Sequence, residues 1–187
     1  YFTKGEDGVR MAKWIGPNWP TTKDEVFARL SRGIETYDFA QWSELAQVCA
    51  QFGVPLVSYE GGSHNNPGDH SDNADIVDFL RELHRDPRMG ELTRKALETF
   101  VAAGGHMPTT FSDVGNWGTF GFWGHKEYTD QPIEEAHRMR AVYDWIDANT
   151  GAASAADNPQ RPARATFRPA KCISTSAQVF TLTGALL

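Results

Sequence analysis

The chain has 187 residues, 40% of them hydrophobic, and a net charge of -6 with acidic and basic side chains interspersed. That balance offers no basic stripe for a phosphate backbone, and no run approaches the roughly 18 apolar residues that cross a bilayer; nucleic acid and membrane are therefore not expected partners. A complete eight-stranded α/β barrel takes about 250 residues, so the chain is expected to be a smaller fold or part of a larger one.

Tyr1 and Phe2 read as the end of an apolar strand with no charged leader in front, which predicts that the chain continues upstream. From Gly5 to Pro20 the sequence is rich in Gly, Pro and Trp without a period, and a long loop is expected. Thr22 with Glu25 three residues on forms a capping box, and Val26, Phe27, Leu30 and Ile34 then recur at helical spacing. The next helix is the best marked: Phe39, Trp42, Leu45, Ala46, Cys49 and Phe52 share one face, and Gly53 stands where a left-handed cap belongs. Residues 54–59 form a short, nearly continuous apolar run that stops at Glu60-Gly61-Gly62, the pattern of a parallel strand buried on both faces.

Asp72 or Asn73 then caps a helix carrying Ile76, Val77, Leu80 and Leu83. Asp86-Pro87 interrupts it, and Met89, Leu92, Ala96 and Phe100 continue on a second helix that ends at Gly104-Gly105. A strand is expected from His106 to Ser112, followed by a second glycine- and aromatic-rich loop from Asp113 to Gly124. Pro132 at a first-turn position opens a last amphipathic helix with Ile133, Ala136, Met139 and Ile146. Two βα units in series with right-handed crossovers imply a parallel sheet covered by helices. Residues 1–148 are thus read as one domain. Residues 149–187, with an Ala-, Pro- and Arg-rich stretch followed by a weak apolar run at Gln178–Leu182, are read as linker and tail.

Parallel α/β sheets place ligands at the carboxyl ends of their strands, where Glu60 and Asp113 fall. A carboxylate buried there needs a partner, because unpaired polar burial costs about 2 to 7 kcal/mol. Aromatic content is 12% with six Trp, several beside Gly, which suits an exposed platform for sugar rings or a packed loop core. Trp117, Phe120, Phe122 and Trp123 are candidates, with Trp14 and Trp19 as outer subsites. Asp113 either hydrogen-bonds sugar hydroxyls or tethers its loop. His64, four residues after Glu60, is placed to line the same pocket. The order His64, Asp69, His70, Asp72 matches no fixed metal-ligand spacing, and no metal or cofactor is expected. Cys49 and Cys172 are read as free thiols. No phosphate loop and no Gly-x-Ser-x-Gly elbow is present.

The segment from Phe52 through Tyr59-Glu60-Gly-Gly-Ser-His64, then Asp86-Pro-Arg-Met89, Gly104-Gly, Phe111-Ser-Asp-Val114 and Gly121-Phe-Trp-Gly124, resembles the C-terminal half of a bacterial group of (β/α)8-barrel proteins described as glycoside-hydrolase-like or cellulose-binding. The likeness covers roughly Tyr1 to Ile146. It implies a partial TIM barrel of about strands six to eight. It further implies Glu60 as the nucleophile of a retaining glycosidase, Tyr1 donating a hydrogen bond to it, and Trp117 or Trp123 as the aromatic that follows the eighth strand. Retaining hydrolysis needs a second carboxyl group about 5 to 5.5 Å away, and by the resemblance that acid/base Glu lies outside this chain. The expected partner is a polysaccharide or oligosaccharide, and the expected compartment is extracellular or periplasmic. The alternative is a non-catalytic carbohydrate-binding protein in which Glu60 only hydrogen-bonds its ligand. A small intact α/β domain for another small molecule is the third reading.

Overall fold

The capping signals form as the sequence predicts. In the computed structural model, which describes residues 2–150, Thr22 and Glu25 exchange both bonds of a capping box at the start of α2 (Lys23–Gly33). Val26, Leu30 and Ile34 are fully buried along its inner face, Ile34 on the π-helical turn Ile34–Asp38 that follows. Inside the stretch expected to be a loop, a short α1 (Met11–Ile15) forms because Met11 and Ile15 reach the same core.

Helix α3 (Phe39–Gln51) ends as expected: Gly53 has φ of 64°, its N–H bonds to Ala50 and that of Val54 to Cys49, the paired bonds of a Schellman motif. Its apolar face, however, is not buried. None of its residues is, and Phe52 just beyond it is 77% exposed. In α4 (Ala74–Arg85) the cap is Asn73, whose Oδ1 accepts from the N–H groups of Asp75 and Ile76. Asp86-Pro87 separates it from α5 (Arg88–Ala102), and Gly104 follows in a positive-φ turn.

Strands β1 (Leu56–Val57) and β2 (Gly105–Met107) pair in parallel, joined by the α4–α5 crossover. Both are shorter than predicted. Val54, Val57 and Tyr59 are exposed, so the run at 54–59 is not a doubly buried strand. A parallel strand is buried when helices cover both faces of a wider sheet. Here the described residues hold a two-stranded sheet and 52% helix, and this overturns the partial (β/α)8 barrel. The domain is instead a small mixed α/β fold.

The last helix, α6 (His137–Thr150), starts five residues after Pro132; a turn at 132–135 takes the place of the first helical turn, and α6 then packs along α5. The core joins α1, α2, α4 and the start of α5 through Met11, Ile15, Leu30, Leu80, Leu83 and Met89, each contributing about 1.5 to 3 kcal/mol by burial. Phe2 and Phe122 close it on the side of the loops. Apart from the last two residues of α6, the stretch 149–187 lies outside the described residues, and with it the tail, its apolar run and Cys172. Cys49 is a free thiol.

Candidate functional site

Two loops meet beyond the carboxyl ends of β1 and β2. The first, residues 58–66, is held on both sides by backbone hydrogen bonds: Phe2 N–H donates to Gly62 and Phe111 N–H to Gly61. Gly61 has no room for a side chain, since a Cβ would lie 2.9 Å from the Thr109 carbonyl oxygen. The close approach that glycine permits here is therefore to the neighbouring chain segment. The second loop, residues 112–126, folds back on itself, with Gly115 bonded to Lys126 and Gly118 and Gly121 bonded to one another across a tight turn.

Glu60 sits on the first loop with its side chain exposed. It makes no hydrogen bond or ion pair among the described residues, so the compensation that a buried carboxylate would need is not called for. It lines a pocket of ≈ 70 Å³ with Phe2, Trp42, Phe100 and Thr109. Trp42 packs edge-on against Phe100, with ring centroids 5.6 Å apart. Thus the indole beside Glu60 comes from α3, not from the second loop. No other carboxylate lines that pocket among the described residues. Tyr1, expected to orient Glu60, lies outside the described residues.

His64 and Trp123 are brought together, although 59 positions separate them. The Trp123 Nε1–H donates to His64 Nδ1 over 2.8 Å, with the rings edge to face at 4.8 Å. An indole only donates, so Nδ1 must accept and the imidazole proton sits on Nε2. Nε2 lies 2.9 Å from the side-chain amide of Asn66, which must turn its oxygen toward it, since Nε2–H and the amide N–H both donate. Burial first, and then the positive charge of Arg10, hold His64 below the usual histidine range, while Glu60 pulls weakly the other way. His64 is thereby kept neutral, the form that its bond to Trp123 requires, and it lies within electrostatic reach of Glu60.

Trp117 is a correction. It is 4% exposed, its Nε1–H donates to the Gly124 carbonyl at 2.9 Å, and the guanidinium of Arg138 lies 4.7 Å from its ring centre. A ring so enclosed has no face to offer a sugar. Phe122 is likewise buried, stacked on His84 at 4.8 Å, whereas Phe120 is 89% exposed at the turn between Gly118 and Gly121. Trp14 and Trp19 pack onto the core, Trp14 beneath Arg29 and Trp19 edge-on to Phe79, which leaves little of either for an outer subsite. Asp113 is exposed, and its backbone carbonyl tethers Lys126.

The residue that organises the second loop was not legible in the pattern. Arg138 is 1% exposed and donates to the carbonyls of Phe122, at 2.8 Å, and Gly124. Among the described residues no acidic group pairs with it; backbone carbonyls and the Trp117 ring take that place. Burial together with this charge pushes the neighbouring His125 down to about 3, and neither of its ring nitrogens has a partner among the described residues. His84 is depressed by the same two causes. The only signal in the sequence was Arg138 beside Met139 on the inner side of an amphipathic helix. Among the described residues no group of three or more His, Cys, Asp or Glu is arranged to hold a metal, and no helix is long and apolar enough to cross a membrane. No family model, no curated protein and no solved structure matches this chain.

Proposed function

We propose that the domain binds a polysaccharide without cleaving it, on the surface around the paired His64 and Trp123 rings, with Glu60 within electrostatic reach of His64. The observation that carries this reading is the bond between Trp123 and His64. It satisfies the polar edge of a half-buried indole and holds the ring still, so its remaining exposed surface is ready for the apolar C–H face of a pyranose at little entropic cost. Glu60 is exposed and uncommitted among the described residues, and so free to accept from sugar hydroxyls. Cleavage by double displacement needs two carboxyl groups about 5 to 5.5 Å apart, and among the described residues Glu60 is the one carboxylate lining its pocket.

Titration calorimetry with cellohexaose tests the reading. Trp123→Ala is expected to weaken binding by about 1 to 3 kcal/mol with the fold intact. Trp117→Ala, in contrast, is expected to cost about 3 to 5 kcal/mol of stability, because that ring is core. Equal affinity for wild type and Trp123→Ala removes the indole from the site, and release of reducing ends by the purified chain overturns binding without cleavage.

A further inference from the structure

Arg10 has no counter-ion among the described residues. Among the described residues the other arginines, the enclosed Arg138 apart, are paired: Arg29 with Asp7, Arg32 with Glu6, Arg81 with Asp78, Arg85 with Glu82 and Glu127, Arg88 with Asp24 and Asp86, Arg94 with Glu98 and Arg140 with Asp144. In a chain of net charge -6, where carboxylates are plentiful, an arginine left out of that scheme is set apart. It lines a cleft of ≈ 350 Å³ together with Lys13, His64, Asn66 and Asp69. The volume is within the roughly 300 to 1,000 Å³ range of small-molecule sites. With Asp69 as the one carboxylate on its wall among the described residues, against Arg10 and Lys13, the cleft has a surplus of positive charge.

The cleft walls are fitted to one another. On one side runs α1; on the other lies the 3-10 turn Gly68–His70. A Cβ at Gly68 would lie 2.8 Å from that of Ala12, and one at Gly16 would lie 2.0 Å from the His70 imidazole. The two walls interlock there and fix the spacing of the groups between them. His64 belongs to both sites: its ring lines this cleft, and its Nδ1 holds the Trp123 indole.

We infer that the cleft is an anion subsite for an acidic sugar, a uronic acid residue whose carboxylate pairs with Arg10 while the neighbouring ring lies on Trp123. The inference rests on the carbohydrate reading above and names its substrate class. Guanidinium suits the task because its planar donors meet both oxygens of a carboxylate, and Lys13 adds a second, non-directional charge. Asn66 and Thr3, which also line the cleft, supply groups of the kind that hydrogen-bond sugar hydroxyls.

The test measures the full chain by calorimetry against three probes: a hexamer of galacturonate, cellohexaose, and a sulfated oligosaccharide of equal length. Galacturonate hexamer is expected to bind at least about tenfold more tightly than cellohexaose, with the excess lost in Arg10→Ala, partly kept in Arg10→Lys, and weakened as salt rises from about 0.05 to 0.5 M. Equal affinity for the uronate and neutral hexamers, or a uronate affinity that Arg10→Ala does not change, overturns the subsite; cellohexaose binding that still depends on Trp123 then leaves the carbohydrate reading standing. Tighter binding of the sulfated probe than of the uronate assigns the cleft to sulfate esters and overturns the carboxylate. Binding of none of the three overturns both.

Discussion

The Trp123 indole donates its one hydrogen bond to His64, and the pair links the loop after β1 to the loop after β2 through 2.8 Å. Each ring fixes the other: the indole dictates which imidazole nitrogen carries the proton, and the imidazole sets the direction in which the indole lies.

Protonating His64 puts a hydrogen on both nitrogens and ends that bond. Because burial and the Arg10 charge lower the His64 pKa from 6.5, the bond is expected to persist through pH 6.5 and to fail only below it. The indole Nε1–H resonance of Trp123, assigned by its loss in Trp123→Phe, reports the event. A midpoint at or above 6.5 contradicts the arrangement.

Stability should depend on pH through two buried groups of opposite sign. His125 is held at about 3 in the fold against 6.5 when unfolded, so between those values the unfolded chain binds more protons and stability falls as the pH falls. Asp38, lifted to about 6 mainly by burial against a partial offset from Lys4, keeps its proton in the fold where the unfolded chain has lost it, so stability falls as pH rises from 3.8 through about 6. Urea unfolding separates them. His125→Leu is expected to remove about 2 kcal/mol of the loss between pH 7 and 5, and Asp38→Asn to gain about 3 kcal/mol above pH 6 with no gain at pH 3. Parallel pH profiles for wild type and both variants would show that neither group couples to folding.

Helix α3 should tolerate changes that an apolar helix face ordinarily does not. Phe52→Lys is expected to alter stability by no more than about 0.5 kcal/mol, since the ring is 77% exposed. Gly53→Ala one residue later should cost about 1 kcal/mol, because φ of 64° suits glycine and not alanine. Urea midpoints of the two variants give the comparison; a larger loss in Phe52→Lys than in Gly53→Ala would mean the helix face is covered in solution.

What the sequence determined by itself is local. Thr22 with Glu25 and Gly53 after α3 are closed within a few residues, so their chemistry is complete on the page of the sequence, while the cap of α4 is narrowed to Asp72 or Asn73 and the structure selects Asn73. The 3.6-residue period of α2 and α4 likewise names their buried faces, because a helix carries its own geometry. Tertiary structure decided the remainder. The apolar stripe of α3 and the run at 54–59 have the composition of buried elements, yet burial depends on what lies opposite, and the barrel that would have covered them is not formed. Trp117 and Trp123 have nearly the same setting, each followed by glycine in one loop. Arg138, from a helix further along, encloses the first, and His64, from the loop before, holds the second half open; contacts between distant segments leave no period or spacing from which that choice can be read.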